Sequence, residues 1–481
     1  MTANVKLFTL NTIILAAGKG VRMRSDIPKV LHKVCGVTLL ERTIRAVNNT
    51  NPNKIIVVIG AGKDLVEKEI ARIKKLSWAL NTNITVVWQK EQNGTGHAVQ
   101  VALHEVESSA TKVLILPSDS PLVTDTVFNE LLAHCANDVV ISLATSNPPN
   151  PYGFGRIVRN SKGDITSIVE EKDCSEIERK ITETNTSIYV VNRAFLEESV
   201  NNLSNNNAQG EFYLTDIVGI AIDKNKKVTG INIKDYFITQ GANSRFELST
   251  LELIHRQRLV KHWMDEGVTF QDPATVYIEE NIFIGKDSFI GANTHISNGS
   301  HIGERVHIEG NSMIINSHIK SDVIIKFSSI IEDSNVESEC SIGPFARLRP
   351  GTVLDKYVKI GNFVETKKAL VHSGAKINHL SYIGDAEVGQ KVNIGAGTIT
   401  CNYDGVNKHK TIIASNSFIG SNSCFVAPVS VGEGAYIGAG SVITKEVPPR
   451  SLGIARARQT VIDGWADKAT SKSKETKKEE K

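Results

Sequence analysis

Residues 278–314 read IEENIF-IGKDSF-IGANTH-ISNGSH-IGERVH-IEGNSM-I, with an isoleucine at every sixth position. The same step returns in two later stretches, which are Ile342, Leu348, Leu354, Ile360 and Ile419, Phe425, Val431, Ile437, Ile443. A period of six fits neither the 3.6 residues of an α-helical turn nor the alternation of an ordinary strand. It is typical of a parallel β-helix built from hexapeptides, in which each apolar residue stacks over its equivalent in the next coil.

The six-residue step lapses in three places, between Ile314 and Ile342, between Ile360 and Ile377, and at 400–411. Interruptions of a solenoid usually form protruding loops, and such loops often carry function. We therefore expect a loop at each of the three places, with functional residues close by.

The first 245 residues follow a different pattern, in which short apolar runs alternate with longer amphipathic segments. The runs are rich in Val and Ile and comprise Ile13–Ala17, Ile55–Ile59, Thr85–Trp88, Val113–Leu116 and Val139–Leu143. The segments 37–48 and 95–106 between them have helical spacing. This alternation predicts an open α/β sheet with buried parallel strands, and ligands bind such sheets at the carboxyl ends of the strands.

Four segments follow from these patterns. We predict an α/β domain at 1–245, a connecting helix at 246–266, a β-helix at 267–467 and a disordered charged tail at 468–481. The tail has almost no apolar residues to bury. The alternative that the helix simply belongs to one of the two domains stays open.

The composition narrows the class of protein. A length of 481 residues indicates two or three domains, and a formal charge of +3 demands neither nucleic acid nor an anionic membrane as a partner. Six scattered cysteines without a CxxC pair argue against a zinc site or a disulfide framework. No run approaches the roughly 20 apolar residues of a membrane helix, and polar residues interrupt the apolar start of the chain. We expect a cytoplasmic protein with no membrane segment.

The segment LAAGKGVRM at 15–23 follows the first predicted strand directly. Its glycines let the backbone approach a polyphosphate, while Lys19, Arg22 and Lys29 offer balancing charge. The spacing fits neither the Walker pattern nor a dinucleotide fingerprint, so the loop alone does not separate a phosphate site from a tight turn.

The loop and the segments after it resemble the sugar-1-phosphate nucleotidyltransferases, and the whole chain to about Trp465 is similar to the bacterial bifunctional GlmU family. The matching segments of the first half are Pro28-Lys29, Gln89, Gly94–Ala98, Asp119 with Pro121-Leu122, Tyr152–Arg156, Val169–Asp173, Asn185-Thr186 and Asn205–Glu211. Those of the second half are Phe345–Gly351, Asn362–Lys368, His379–Asp385, Asn393–Thr398 and Cys401–Gly405 with Lys408. The resemblance implies a Rossmann-like nucleotidyltransferase domain followed by a left-handed parallel β-helix.

The resemblance also implies two reactions. In the first, acetyl-CoA and glucosamine-1-phosphate give N-acetylglucosamine-1-phosphate. In the second, UTP converts this product to UDP-N-acetylglucosamine, a precursor of bacterial cell wall and lipopolysaccharide, and pyrophosphate is released. It further implies a homotrimer with acetyl-CoA sites between subunits, and small molecules as the only other partners.

For the uridylyl transfer, the resemblance makes Arg22 and Lys29 catalytic and Asp119 and Asn243 the ligands of Mg²⁺. Carboxylate and amide oxygens suit such a hard cation. The residues expected to bind UTP or UDP-N-acetylglucosamine are Leu15, Ala16, Ala17, Gly18, Lys29, Gln89, Gly94, Thr95, Gly155, Glu170, Asn185 and Asn243. The sequence departs from the family in two places. Pro117-Ser118 stands where the family usually has small or aromatic residues before the metal aspartate, and Ser187 stands where it usually has glycine. These departures affect the expected fit of nucleotide and sugar and leave the expected chemistry in place.

For the acetyl transfer, we expect His379 to be the general base, because amide formation needs a group that takes a proton near neutral pH. A backbone N–H near Ala396 is expected to stabilise the oxyanion. The residues expected to hold the sugar phosphate are Arg349, Lys367, Tyr382, Asn393, Asn402, Tyr403 and Lys408, and those expected to bind acetyl-CoA are Ala396, Ser421, Ala439 and Arg456. Direct attack by the amine needs no acyl-enzyme, so Cys401 and Cys424 are expected to be structural.

Two rival functions remain at this point. In the first, the β-helix has lost its chemistry and only oligomerises or regulates a nucleotidyltransferase. In the second, the chain is a non-catalytic binding scaffold. The presence of Arg349, Lys367, His379 and Tyr382 argues against the first, and the Lys29 and Asp119 pair argues against the second.

Overall fold

The structure is a computed structural model that describes residues 8–136 and 138–470. Contacts divide the chain into two compact units, Met1–Leu259 and Val260–Lys481. The division falls inside a helix at Arg245–Asp265, close to the predicted connecting helix. The predicted tail at 468–481 lies, from residue 471 onward, outside the described residues.

A mixed β-sheet forms the centre of the first unit. Its strands are β1 Leu10–Ala16, β2 Lys54–Ile59, β3 Ile84–Trp88, β4 Lys112–Pro117, β5 Val139–Ser146, β6 Arg156–Arg159, β7 Ile165–Val169, β8 Thr184–Asn192 and β9 Lys227–Ile233. The order along the sheet is β9-β5-β8-β4-β1-β2-β3, with β6 and β7 attached beside β8. All five predicted strands are present. These five run in one direction, as predicted, while β8, which was not predicted, runs antiparallel to both β4 and β5.

Helices cover both faces of this sheet, except that the last one named below packs Leu248 and Leu251 into a separate cluster with Met23 and Leu39. They are α1 Leu39–Asn48, α2 Lys63–Ile73, α3 Thr95–Ala102, α4 Asp125–His134, α5 Arg193–Val200, α6 Asp216–Asp223 and α7 Arg245–Asp265, with 3₁₀ turns at Val21–Met23, Lys29–Leu31, Ser77–Ala79, Leu103–Glu105, Glu178–Lys180 and Tyr236–Ile238, and a small two-stranded ladder at Lys33–Val34 and Val37–Thr38. Along β1, Ile14 packs into one core cluster and Ile13 into the other. A strand buried on both faces reads as a continuous apolar run, as this sequence does. None of the described helices is long and apolar enough to cross a membrane.

The second unit is a parallel β-helix, as predicted. One sheet along it has eleven strands, Thr269–Phe270, Phe289–Ile290, His307–Ile308, Ile324–Ile325, Ser341–Ile342, Lys359–Asn362, Lys376–His379, Asn393–Ile394, Phe418–Ile419, Tyr436–Ile437 and Leu452–Gly453. The other has seventeen, Tyr277–Ile278, Phe283–Ile284, His295–Ser297, His301–Ile302, Met313–Ile315, His318–Ile319, Ile330–Glu332, Asn335–Val336, Arg347–Leu348, Val353–Leu354, Glu365–Val371, Tyr382–Val388, Ile399–Cys401, Thr411–Ile413, Cys424–Val426, Val429–Val431 and Val442–Ile443. We call them the eleven-strand sheet and the seventeen-strand sheet.

Two of the three expected loops do not form. Between Ile314 and Ile342 the chain keeps coiling, and the interior positions are filled by buried Ile319, Ile325, Ile331 and Val336. The steps from Ile314 to Ile319 and from Ile331 to Val336 are five residues long instead of six, and this change of spacing hid the repeat in the sequence. The prediction of a loop there was wrong.

The second expected loop is also absent from the described chain, because Thr366 and Val371 occupy the interior between Ile360 and Ile377. Thr366 is polar, but its hydroxyl lies 3.0 Å from that of Thr352, so the two buried groups satisfy each other. The third loop is real. Asn393 pairs with Phe418 in the next coil, twenty-five residues on, and the extra residues form the loop 402–410.

A charged cluster ties successive coils together at His372. Its Nδ1 lies 2.9 Å from Asp355 Oδ2 and its Nε2 lies 3.2 Å from Glu387 Oε1. Lys410 donates to the second oxygen of Glu387 at 2.7 Å. Burial by itself lowers the pKa of His372, but the two carboxylates outweigh it and the pKa is raised overall.

This raised pKa predicts a pH-dependent contribution to stability. An imidazolium that is favoured in the folded chain stabilises it fully below the unfolded pKa, and this contribution is lost as the pH rises through the higher folded pKa. We expect the difference in unfolding free energy between wild type and His372→Gln to be larger at about pH 5 than at about pH 8. Urea unfolding across this range measures it. The control is His307→Gln, because the His307 ring stacks on Phe289. An equal pH dependence of the unfolding free energy in both variants would contradict the assignment.

Candidate active sites

The glycine loop after β1 closes onto Lys29. Gly20 has a φ of +62°, and a Cβ at this position would lie 2.8 Å from the Cβ of Lys29. A side chain is therefore excluded both by conformation and by space. Met23 is buried behind the loop, while Arg22 is exposed and lines a cleft described below.

Asp119 follows the end of β4 and is held by its neighbours on both sides. The N–H and the hydroxyl of Ser118 both donate to the Leu15 carbonyl, at 3.1 and 3.0 Å, and so join the ends of β4 and β1. The N–H of Ala242 donates to the Asp119 carbonyl at 2.9 Å. The Ser118 departure from the family thus has a structural role at the site.

Asn243 is positioned by the start of α7. Glu247 accepts from the N–H groups of Asn243 and Ser244 at 2.8 and 2.9 Å, and its own N–H donates to Ser244 Oγ at 3.2 Å. This is a capping box, in which a Ser and a Glu three residues on satisfy the free N–H groups of a helix start. The sequence Ser-Arg-Phe-Glu at 244–247 contains this signal, which the sequence analysis did not use.

Three of the predicted site residues meet at one point. The Lys29 ammonium lies 2.5 Å from Asp119 Oδ2 and 3.2 Å from Asn243 Oδ1. The side chains of Lys29 and Asp119 are only 16% and 14% exposed, so the pair is partly shielded from water. A carboxylate oxygen and an amide oxygen that converge in this way fit a hard divalent cation.

A cleft of about 490 Å³ opens beside this point, and we call it the nucleotide cleft. The predicted residues that line it are Leu15, Ala16, Ala17, Gly18, Lys29, Gln89, Gly94, Thr95 and Asp119. Gln89 is buried, and its Nε2 donates to the Gly94 carbonyl at 3.2 Å. Gln92 and Glu211 also line the cleft and were not predicted.

A second cleft, of about 510 Å³, lies on the other side of Asp119, and we call it the sugar cleft. The predicted residues that line it are Arg22, Asp119, Asn185 and Asn243. Its wall also has four aromatic residues, Tyr152, Phe154, Tyr236 and Phe246. The first two lie in a segment that resembles the family, but none of the four was predicted as a site residue. Pro117, Asp119 and Ser187 line both clefts.

Gly155 and Glu170 line neither of these two clefts and lie directly behind Asn185. The Gly155 carbonyl accepts from the Asn185 N–H at 2.8 Å, and a Cβ at Gly155 would lie 3.5 Å from the Glu170 carboxyl group. Burial raises the pKa of Glu170, which also accepts a hydrogen bond from the Thr215 hydroxyl at 3.3 Å.

On the β-helix, a groove of about 610 Å³ runs along the eleven-strand sheet, and we call it the acyl groove. The predicted residues that line it are His379, Asn393, Ala396, Ser421 and Ala439. Phe418 and Tyr436 form part of its floor, with ring centroids 5.6 Å apart. Arg456 lies at the last coil and donates to the Ala439 carbonyl at 3.0 Å.

His379 is held by the coil before it. Asn362 is its neighbour in the sheet, and Asn362 Oδ1 lies 3.0 Å from His379 Nδ1. An amide oxygen only accepts, so Nδ1 is the donor in this contact, and in the neutral imidazole this leaves the lone pair on Nε2. The sequence analysis missed the role of Asn362, although a position one coil, or seventeen residues, before a catalytic residue is its neighbour in such a fold.

The remaining predicted residues of the acetyl transfer lie around the corner from His379, on the seventeen-strand sheet and the loop 402–410. Tyr382 pairs with Glu365, which accepts from Arg349 at 2.7 Å. The neighbouring Lys408 ammonium lowers the pKa of Lys367, and burial and the Arg349 guanidinium lower the pKa of Lys367 further. These cations therefore form one positive cluster.

One side-chain contact and one backbone bridge fix the loop beside this cluster. Asn402 donates to Asp385 Oδ2 at 2.5 Å, and Tyr403 forms an antiparallel bridge with Lys408. The predicted residues Arg349, Lys367, Tyr382 and Lys408 therefore lie around one corner of the β-helix. The predicted acetyl-CoA residues extend instead along the acyl groove to Arg456 at the last coil.

Comparison with known proteins gives matches to three family models. The MobA-like NTP transferase domain matches residues 12–179, the GMPPB C-terminal domain matches 273–364, and the bacterial transferase hexapeptide model, with six repeats, matches 410–445. The first lies in the α/β unit and the other two lie in the β-helix.

Curated relatives match nearly the whole chain. "Bifunctional protein GlmU" of Cellvibrio japonicus is 46% identical over 96% of this chain and 100% of its own length. The proteins of the same name from Streptococcus agalactiae and Streptococcus pyogenes are 42% and 45% identical, over 95% and 94% of this chain and 97% and 96% of their own. Identity at this level over both units shows the family. The chain belongs to the bifunctional GlmU family, and it is a uridylyltransferase and acetyltransferase of UDP-N-acetylglucosamine synthesis.

Proposed function

We propose that the first unit transfers UMP with the residues gathered around Asp119. An oxygen of N-acetylglucosamine-1-phosphate attacks the α-phosphorus of UTP, a new P–O bond forms, and the bond to pyrophosphate breaks. No covalent intermediate is needed, so positioning and charge neutralisation provide the catalysis. Arg22 and Lys29 neutralise the phosphates, and Gln89 presents an amide to the uracil edge. The meeting of Lys29, Asp119 and Asn243 between two clefts is the observation that carries this proposal.

We assign Asp119 and Asn243 as the residues that hold Mg²⁺. Both present oxygen atoms, and both already converge on one cation, the Lys29 ammonium. When bound, the metal ion supplies positive charge next to the phosphates. The capping box of α7 and the Ser118 contact with Leu15 keep the two oxygens in place.

Metal removal should separate the two reactions. With EDTA in excess, we expect pyrophosphate release from UTP and N-acetylglucosamine-1-phosphate to fall below detection and to return when Mg²⁺ is restored. Thiol release from acetyl-CoA should not change, because no step assigned to the β-helix uses a metal. Parallel assays on one protein sample measure both rates. Equal loss of both activities, or no loss of pyrophosphate release, would contradict the metal assignment.

We propose that the second unit acetylates glucosamine-1-phosphate in the acyl groove. The amine nitrogen bonds to the thioester carbonyl carbon and His379 Nε2 takes a proton from the amine. The C–S bond then breaks as this proton passes to the sulfur, so CoA leaves as its thiol. Among the described residues, the Ala396 N–H donates to no protein acceptor, which leaves it available to the oxyanion. The positive cluster of Arg349, Lys367 and Lys408 supports binding of the sugar phosphate.

A column of small residues, which are Ala396, Ser421 and Ala439, supports the proposed path of acetyl-CoA. Asn422 N–H donates to the Ala396 carbonyl and Gly440 N–H donates to the Ser421 carbonyl, so these corners stack along the axis. The column begins near His379 and ends at Arg456. Small side chains leave room for an extended pantetheine arm, and an arginine suits a phosphate at its far end.

We extend the proposal to a homotrimer in the cytoplasm. Phe345, Phe363 and Leu380 form an exposed column along one corner of the β-helix, and they are 46%, 57% and 60% exposed. All three have positive φ angles, which bulky residues rarely adopt. Apolar residues held this way support burial against another copy of the chain. The six cysteines, all free, suit a reducing compartment.

A further inference from the structure

Ser187 stands out because its backbone is strained at the centre of the uridylyl site. Its φ is +61°, in the left-handed region where a residue with a Cβ is disfavoured and glycine is not. It lies in a bulge of β8, between Asn185 and Tyr189, where the pairing with β5 shifts register. Strain of this kind persists at functional sites because the surrounding structure holds it.

The neighbours of Ser187 are fixed on both sides. Thr186 donates to the Ala144 carbonyl at 2.8 Å, which anchors the bulge to β5. The Ser187 N–H donates to Asn185 Oδ1 at 3.1 Å, and Asn185 Nδ2 donates to the Tyr189 hydroxyl at 2.6 Å. These contacts hold the bulge in place. Ser187 lies in the wall of both clefts, and its hydroxyl is also within reach of the buried Tyr189 hydroxyl, so a substrate phosphate would compete for it.

Ser187 lies where the two substrates must meet. Of the described residues, only Pro117, Asp119 and Ser187 line both the nucleotide cleft and the sugar cleft. The sugar phosphate attacks the nucleotide between these clefts, so a phosphate group crosses this junction. Proline has no polar side chain and an ionised aspartate only accepts hydrogen bonds, so the Ser187 hydroxyl is the donor among the three.

From this geometry we infer that Ser187 is a further substrate-contacting residue of the uridylyl transfer. Its hydroxyl donates a hydrogen bond to an oxygen of the phosphate that joins sugar and nucleotide, and the strain at φ +61° is kept because it places the donor there. The inference rests on the proposed uridylyl transfer at Asp119. A hydrogen bond to a charged group contributes more than a neutral one, so its loss should be measurable.

The test compares Ser187→Gly with Ser187→Ala. Glycine relieves the strain and removes the hydroxyl, so we expect the melting temperature of the first unit to rise while kcat/KM for pyrophosphate release falls about 10- to 100-fold. Alanine removes the hydroxyl and keeps the strain, so activity should fall equally without a gain in stability. A purely structural serine would give the rise in melting temperature with full activity.

Two controls make the result specific. Asn225→Gly places a glycine at a similar φ, +52°, in the turn after α6 and away from both clefts. Asparagine adopts this conformation with less strain than serine, so the melting temperature should change less than in Ser187→Gly and both activities should stay unchanged. Thiol release from acetyl-CoA should be unaffected in all three variants. If wild type releases no pyrophosphate, the proposed uridylyl transfer fails. If wild type is active and Ser187→Gly is equally active, only the role of Ser187 is overturned.

Discussion

His379→Ala is expected to slow acetyl transfer to glucosamine-1-phosphate by about 10²- to 10⁴-fold, the usual contribution of a general base. The reason is local: the groove, the positive cluster and the small-residue column remain, but no group accepts the proton from the attacking amine. His379 is exposed, so its removal should not lower the unfolding free energy of the β-helix. The rate of thiol release from acetyl-CoA measures the loss.

Two further variants sharpen this prediction. Asn362→Ala removes the partner of Nδ1 and should cost about tenfold, since it only orients the base. His372→Gln changes a histidine of the β-helix outside the acyl groove and should leave thiol release unchanged. Pyrophosphate release should stay at the wild-type rate in all three. Thiol release at the wild-type rate in His379→Ala would remove this histidine from the mechanism.

Asp119→Asn is expected to lower kcat/KM for uridylyl transfer by about 10²- to 10³-fold, the range for losing one preorganised charge-stabilising group. The amide keeps the shape of the side chain but loses the negative charge that meets Lys29 and that we assign to the metal ion. Higher Mg²⁺ should recover part of the activity, because the loss is in metal affinity. Pyrophosphate release against Mg²⁺ concentration measures both effects.

The matched control for Asp119→Asn is Asp223→Asn. Asp223 is exposed at the end of α6 and lines neither the nucleotide cleft nor the sugar cleft, so the same chemical change should leave pyrophosphate release unaltered. Acetyl transfer should be normal in both proteins. Equal activity of the two variants would contradict the assignment. Asp119 would then have only a structural role, as an aspartate in the turn before Pro121.

The β-helix was predictable because each interior residue repeats at a fixed step. What the sequence did not reveal was that the step can shorten by a residue at a corner without a break in the coil, as it does before Ile319 and Val336. An interior threonine such as Thr366 was equally hidden, because only a buried partner in another coil makes it tolerable. Loops were therefore expected where the chain simply continues.

The candidate sites, like the β-helix, were only partly predictable from the sequence. The glycine loop and His379 were found from local patterns and family resemblance. The contacts of Lys29 with Asp119 and Asn243 join residues 90 and 214 positions apart, so no local pattern brings them together. The resemblance implied that they meet, and the fold gives the contacts. The strain at Ser187 was not predicted, although Ser187 stands where the family usually has glycine, the residue that a positive φ favours.

The measurement that tests the central claim most directly uses the purified full chain with glucosamine-1-phosphate, acetyl-CoA, UTP and Mg²⁺. Free thiol and pyrophosphate are followed in parallel. We predict that both are released, with pyrophosphate lagging behind thiol, because the acetylated sugar phosphate must form before it reacts with UTP. Pyrophosphate release from supplied N-acetylglucosamine-1-phosphate without any thiol release from glucosamine-1-phosphate would contradict the account, since the β-helix would then carry no chemistry.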